Sequence, residues 1–237
     1  MYGMSNNYKV NEVISKDTDQ RNYWQKLTQR DLWQIPVYKY ISVEMDKDSS
    51  PKVIMEIGCG TGQKGVKHFE KYLNNYIGVD QPSGILIAST NFPKINWVIS
   101  DLENTENLLE VIKFEKPNNI ICVDVIEHLA DPESFLKVLL SVKKGTKIYI
   151  STPARESMAD QSIDGPPRNP LHVREWTSTE LPDYLSNLGF TVINQLKFLP
   201  RGYNFLSPKE LLRLVFRLIS GKKLPDEKSC QLVILEV

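Results

Sequence analysis

Val53-Ile-Met-Glu-Ile-Gly-Cys-Gly-Thr-Gly62 decides the fold. Its apolar run predicts a buried strand, Glu56 sits just before the strand's end, and Gly58, Gly60 and Gly62 turn the backbone tightly toward a helix. A side chain at such positions would keep a ligand from lying against the main chain, so glycine belongs there. A strand that breaks into Gly-x-Gly-x-Gly and opens a helix marks a nucleotide-type cofactor loop in a doubly wound α/β fold.

Outward from this loop, apolar runs alternate with helical stretches. Strands are predicted near 53–57, 76–80, 96–100, 119–124 and 146–151, a spacing that argues for parallel βαβ units. A helix over 178–188 with Gly189 as its C-cap, a strand over 190–197 and a final strand over 231–237 complete the sheet. The expectation is a Rossmann-like α/β fold: seven strands, mostly parallel, the last inserted antiparallel, with helices on both faces.

The chain divides into an N-terminal helical extension over 1–50 and a domain over 51–237. Apolar Trp24, Leu27, Trp33, Ile35, Val37, Tyr40 and Ile41 predict helices broken at Pro36, either capping the cleft or packed on the sheet. Pro153, Gly165, Pro166, Pro167 and Pro170 make a long loop at about 152–175, of the kind that often carries function. Residues 208–223 read as an amphipathic helix, apolar at Leu211, Leu212, Val215, Phe216 and Ile219 and basic at Arg213, Arg217, Lys222 and Lys223. It is either a solvated helix with a core-facing stripe or a contact for a membrane surface or an anionic substrate.

Composition excludes several classes. The 237 residues are 41% hydrophobic and 24% charged, with Lys+Arg and Asp+Glu both at 29, so no global field recruits nucleic acid. Cys59, Cys122 and Cys230 lack paired spacing and read as reduced thiols, which points to the cytoplasm. No run is apolar enough to span a membrane, and the polar N-terminus is not a signal peptide.

The register of the glycines narrows the cofactor. The dinucleotide pattern Gly-x-Gly-x-x-Gly appears only as Gly60, Gly62 and Gly65; counted from Gly58 its sixth position is Gln63. Glu56 repels phosphate but suits a cationic ligand, and S-adenosylmethionine carries a sulfonium and an ammonium and no phosphate. An NAD-dependent oxidoreductase is disfavoured on both counts. The Glu-x-Gly-x-Gly-x-Gly run over Glu56, Gly58, Gly60 and Gly62 resembles motif I of the class I S-adenosylmethionine-dependent methyltransferases. Asp80, at the tip of the second strand, is placed to accept both ribose hydroxyls. Asp101, after the third strand, falls where the family contacts the adenine amino group, or else caps the following helix.

A second constellation follows the fourth strand. Asp124, Glu127 and His128 stand at i, i+3 and i+4, so one helical turn would put three good metal ligands on one face. His172 opens His-Val-Arg-Glu-Trp-Thr177 in the long loop. Asp-x-x-Glu-His, a strand ending Ser-Thr-Pro and then His-x-x-Glu-Trp-Thr resemble two groups of class I methyltransferases. One is a bacterial set acting on small molecules and sugars, including quinone-biosynthesis-like O-methyltransferases; the other is the small-RNA 3′-terminal 2′-O-methyltransferases, which have Glu-x-x-Glu-His. In the latter, two acidic residues and two histidines hold a divalent metal. The resemblance therefore implies a metal on Asp124, Glu127, His128 and His172, with Asp124 one methylene shorter than the glutamate of that pattern. Such donors suit Mg²⁺, Mn²⁺, Fe²⁺ or Zn²⁺. In a metal-free version His128 or His172 is the general base for a hydroxyl; in a reading without such chemistry Glu127 and His128 orient a loop and His172 is a lone loop histidine.

The implied function is O-methylation, dependent on S-adenosylmethionine, of a hydroxyl on a sugar, glycan or other small polar metabolite, assisted by a divalent metal. The alternatives are an RNA-terminal 2′-O-methyltransferase and a metal-independent quinone- or N-methyltransferase. The balanced charge and the lack of an aromatic-plus-basic stripe count against RNA, while Arg168, Asn169 and Arg174 in the loop suit a polar acceptor.

Overall fold

The structure, a computed structural model, describes residues 34–157, 165–199, 219 and 229–237. The expected helix at 208–223 and the part of the N-terminal extension before residue 34 lie outside the described residues, apart from Ile219.

Seven strands form one sheet: β1 (Ile54–Ile57), β2 (Tyr76–Asp80), β3 (Asn96–Ile99), β4 (Asn119–Val123), β5 (Lys147–Pro153), β6 (Thr191–Phe198) and β7 (Cys230–Glu236), in the order β3-β2-β1-β4-β5-β7-β6. The first five run parallel, and β7 is wedged antiparallel between β5 and β6. Every residue of β1, β2 and β4 is buried, which is why these strands read as unbroken apolar runs rather than alternating ones.

Strand period still sorts the side chains. Ile120 and Cys122 belong to a core shared with α4 (Thr105–Glu115), α5 (Pro132–Leu139) and α6 (Glu180–Leu188). Ile121 and Val123, pointing the other way, join Ile54, Tyr149 and Leu232 in a second core under α1 (Ile35–Asp46). Between β1 and β2 lies α2 (Gln63–His68), and α3 (Pro82–Asn91) follows β2.

One local expectation is corrected, the length of β5, and the helix ends fall where the sequence places them. Pro36 lies in the first turn of α1, at the start of a helix, where its missing N–H costs no hydrogen bond. Helix α1 buries Val37, Tyr38, Ile41 and Met45 against the sheet. Strand β5 runs on to Pro153, because Thr152 and Pro153 pair with Gln231 and Cys230 of β7. Gly189 does close α6 in the left-handed region, at φ 113°. Among the described residues, no helix is long and apolar enough to cross a membrane.

The sheet order reverses between β1 and β4, where the connections leave in opposite directions. The crevice at the carboxyl ends of these two strands is where open α/β sheets take their ligands. The glycine loop and the Asp124–His128 segment both start there.

Candidate active site

The glycine loop is shaped by what surrounds it. Gly58, Gly60 and Gly62 all have positive φ (78°, 57° and 74°), a region that L side chains avoid. A Cβ on Gly58 would meet Val125 Cγ2 at 2.3 Å, and one on Gly62 would meet Trp97 Cη2 at 2.3 Å. The backbone N–H of Gly58 donates to the Val79 carbonyl at 2.8 Å. Asp80 ties the loop down: its Oδ2 accepts from Gly60 N–H and its Oδ1 from Gln81 N–H, both at 2.6 Å. This carboxylate is therefore at the loop, as the sequence places it, and its two oxygens retain lone pairs for further donors.

Glu56 lies beneath the loop and is only 1% exposed. Tyr38 OH donates to its Oε1 at 2.6 Å and Tyr76 OH to its Oε2. Burial pushes its carboxyl up to about 7, against the opposing pull of the two hydroxyls and Lys64. Sequence spacing gave no sign of either tyrosine. It did show Gly65, whose role is steric: a Cβ there would stand 1.9 Å from Glu56 Oε2 and 2.2 Å from Tyr76 OH. Trp97, on edge strand β3, was likewise missed; its ring lies against both Gly62 and Gly78.

Asp101 is exposed, and its Oδ1 accepts from Glu103 N–H at 3.0 Å in a local turn. It is not the cap of α4, whose N-cap position is Asn104.

The second constellation is not a single helical turn. Asp124 follows β4 with φ 53°, and a short 3₁₀ turn, Ile126–His128, comes next. The left-handed residue ends any helical continuation from β4, and the cluster of possible metal ligands here is Glu127, His128 and His172 without Asp124. Asp124 Oδ2 accepts from Gln34 Nε2 at the start of α1, while Gln34 Oε1 accepts from Lys64 Nζ at 2.6 Å. Gln34 thus bridges the two lips of the crevice.

Glu127, His128 and His172 do converge, with one ligand atom from each lying within 4.8 Å of the others. Asp124 stands outside that cluster, so three of the four expected ligands come together. The backbone brings His172 in: Val173 N–H and Arg174 N–H donate to the Glu127 carbonyl at 2.7 and 3.3 Å. The two imidazoles meet edge to face, centroids 4.7 Å apart at 83°. His128 Nδ1 lies 3.0 Å from the Leu171 carbonyl. Carbonyls only accept, so Nδ1 carries the proton and Nε2 is the nitrogen left as an acceptor.

Glu127 is fully buried. Neither of its oxygens completes a hydrogen bond among the described residues; nor does the Thr152 hydroxyl that faces it. Burial first, and then the charge of Asp124, push its carboxyl well above the ordinary range. A fully buried carboxyl beside two imidazoles is a place where a positive charge would be favoured. These donors fit a divalent cation with room for further oxygen ligands.

Residues 25–195 match the family described as a methyltransferase domain. A Mycolicibacterium smegmatis protein, named as an S-adenosylmethionine-dependent methyltransferase, is 27% identical over 146 residues, which is 60% of this chain. The match takes in 53% of that relative, so the chain spans about half the length of the curated relative it matches. A solved S-adenosylmethionine-dependent methyltransferase from Archaeoglobus fulgidus superposes with a TM-score of 0.60 at 19% identity, covering 91% of this chain and 99% of that one. The methyltransferase domain of a bacterial Hen1 gives 0.59 at 17%, covering 86% and 98%. The chain belongs to the methyltransferase-domain family, and it shares its fold with solved S-adenosylmethionine-dependent methyltransferases.

Proposed function

We propose that the protein methylates a hydroxyl of a sugar, glycan or other small polar metabolite, with a divalent metal held by Glu127, His128 and His172. The observation that carries this reading is the convergence of those side chains from two separate segments, at the carboxyl end of β4 beside the glycine loop.

In this reading, Gly58, Gly60 and Gly62 let the donor lie against bare backbone, and Glu56 favours its positive charge from below. Asp80 accepts the ribose hydroxyls and Asp101 the adenine amino group. A bound divalent ion supplies Lewis acidity, which lowers the pKa of a hydroxyl coordinated to it. The chain's own residues orient the acceptor. As the acceptor oxygen bonds to the methyl carbon, the carbon–sulfur bond breaks, S-adenosylhomocysteine leaves and the hydroxyl proton passes to solvent water, because both imidazole Nε2 atoms would be turned to the metal.

In this reading Gln34, at the start of α1 in the extension over 1–50, and His172, in the loop at about 152–175, stand on the acceptor side of a domain over 51–237. We place the protein in the cytoplasm. A second reading, methylation of an RNA terminus at its 2′-hydroxyl, draws on the same Glu-His and His-x-x-Glu-Trp residues, since a terminal ribose offers a vicinal diol. The balanced charge speaks against it. A quinone- or N-methyltransferase would use His128 or His172 without metal.

The test is an acceptor screen with labelled methyl donor across nucleotide sugars, glycans, RNA ends and phenols, with and without chelator. Turnover of a hydroxylated acceptor that stops on chelation and returns with added metal supports the reading. Turnover untouched by chelation removes the metal from it, and labelling of RNA ends alone selects the second reading.

A further inference from the structure

His172 is held by a fully buried residue. Its Nδ1 lies 2.5 Å from Glu175 Oε1, and Glu175 is fully buried. The other oxygen, Oε2, faces Arg155 Nη1 at 4.0 Å, and Arg155 is buried as completely. Arg155 is fixed in turn: its backbone N–H donates to the Trp176 carbonyl at 3.1 Å, and its Nη2 donates to the Gly165 carbonyl. A parallel bridge joins Ala154 to Trp176. The segment that carries His172 is thus stapled to the end of β5 on both sides of Glu175.

We propose that Glu175 is the positioning residue of His172: it holds the proton on Nδ1, so that Nε2 is the nitrogen presented to Glu127 and His128. The proposal rests on the metal reading given above for what Nε2 does, but not for how Nε2 is presented.

Two features separate this from a merely structural ion pair. Pairing with Arg155 uses one carboxylate oxygen, and the second is spent at short range on the imidazole. The same arrangement recurs on the neighbouring ring, where Leu171 O fixes the Nδ1 proton of His128. Both imidazoles are therefore locked in one tautomer, one by a neutral carbonyl and the other by a carboxylate. An ionised carboxylate can only accept, so it selects the Nδ1–H form and makes the opposite nitrogen a better donor of its lone pair. Without Glu175 the ring could flip or exchange tautomers, and its Nε2 would carry a proton toward Glu127 part of the time.

The experiment uses full-length protein with ¹⁵N-labelled histidine at pH 8 and zinc as the probe. The expected result for the wild type is a His172 imidazole protonated at Nδ1. E175A is expected to move His172 toward the Nε2–H form and to weaken zinc binding, measured against a chromophoric chelator, by about 10- to 100-fold. E175Q, whose amide oxygen still accepts from Nδ1–H, is expected to keep the tautomer and stay closer to wild type in zinc affinity. The wild-type and E175Q spectra decide the matter even if E175A does not fold. A wild-type His172 protonated at Nε2, or an E175A protein that folds and binds zinc as tightly as the wild type, overturns the proposal. An Nδ1-protonated His172 in a wild type that takes up no zinc sustains the role of Glu175 and refutes the metal reading instead.

Discussion

Replacing Glu56 with glutamine isolates the cost of a buried acid under the cofactor loop. Its carboxyl titrates at about 7 in the folded protein, against an ordinary value of 4.5. Burial is the main cause, and the hydroxyls of Tyr38 and Tyr76 only partly offset it. The folded pKa is the higher one, so between pH 4.5 and about 7 the folded state keeps a proton that the unfolded chain has released. Stability contributed by this group is therefore present at low pH and is lost as pH rises through that window. At about 1.4 kcal/mol for each tenfold change, the full loss is about 3 kcal/mol. Glutamine has no such titration and can still accept one tyrosine hydroxyl. Urea unfolding of wild type and E56Q at pH 5, 6, 7 and 8 gives the difference at each pH. It is expected to shift in favour of E56Q by about 2–3 kcal/mol from pH 5 to pH 8. A difference that stays flat across this range would refute the idea that burial holds the proton.

Gly65→Ala forces a methyl group into the space of Glu56 Oε2 and Tyr76 OH; a loss of about 1–3 kcal/mol is expected in thermal unfolding, with weaker binding of S-adenosylhomocysteine by calorimetry. Trp97→Ala removes the ring that backs Gly62 and Gly78, and is expected to weaken S-adenosylhomocysteine binding more than acceptor binding. Glu127→Gln replaces a buried carboxylate lacking hydrogen-bond donors; it is expected to gain about 1–3 kcal/mol in denaturant unfolding while methyl transfer falls. A loss of stability there would mean that the carboxylate is compensated in the fold. Donor binding near Glu56 favours its charged form, so calorimetry at pH 7 in two buffers of different ionisation enthalpy is expected to show proton release; equal heats in both would contradict it.

The frame of the site was legible because strand period and glycine spacing are local signals. The run from Val53 to Gly62 led to a strand, three positive-φ glycines and a helix where expected, and Asp80 arrived at the loop. Contacts across elements left no such trace. Tyr38 and Tyr76 reach Glu56 from a different helix and a different strand. Gly65 looked like a misplaced dinucleotide glycine, yet it is the room that a buried acid needs. Asp124 fits an i, i+3, i+4 pattern only if the backbone is helical, and its φ of 53° ends that. Likewise the Glu175 of His-x-x-Glu-Trp was visible as a letter in a motif, but the histidine it holds could be known only from the fold of the loop.

The place of β7 bears on how this chain is assembled. Ser151 and Cys230 touch across β5 and β7 although 79 residues separate them, and in the sheet β7 lies between β5 and β6. Until that late strand is synthesised and inserted, both neighbours present unpaired edges, of the kind that seed intermolecular pairing. Closing so long a loop is slow compared with the local βαβ pairings that precede it. Docking of β7 is therefore expected to be the last and slowest sheet-forming event, and the stage at which the nascent protein is most prone to aggregate.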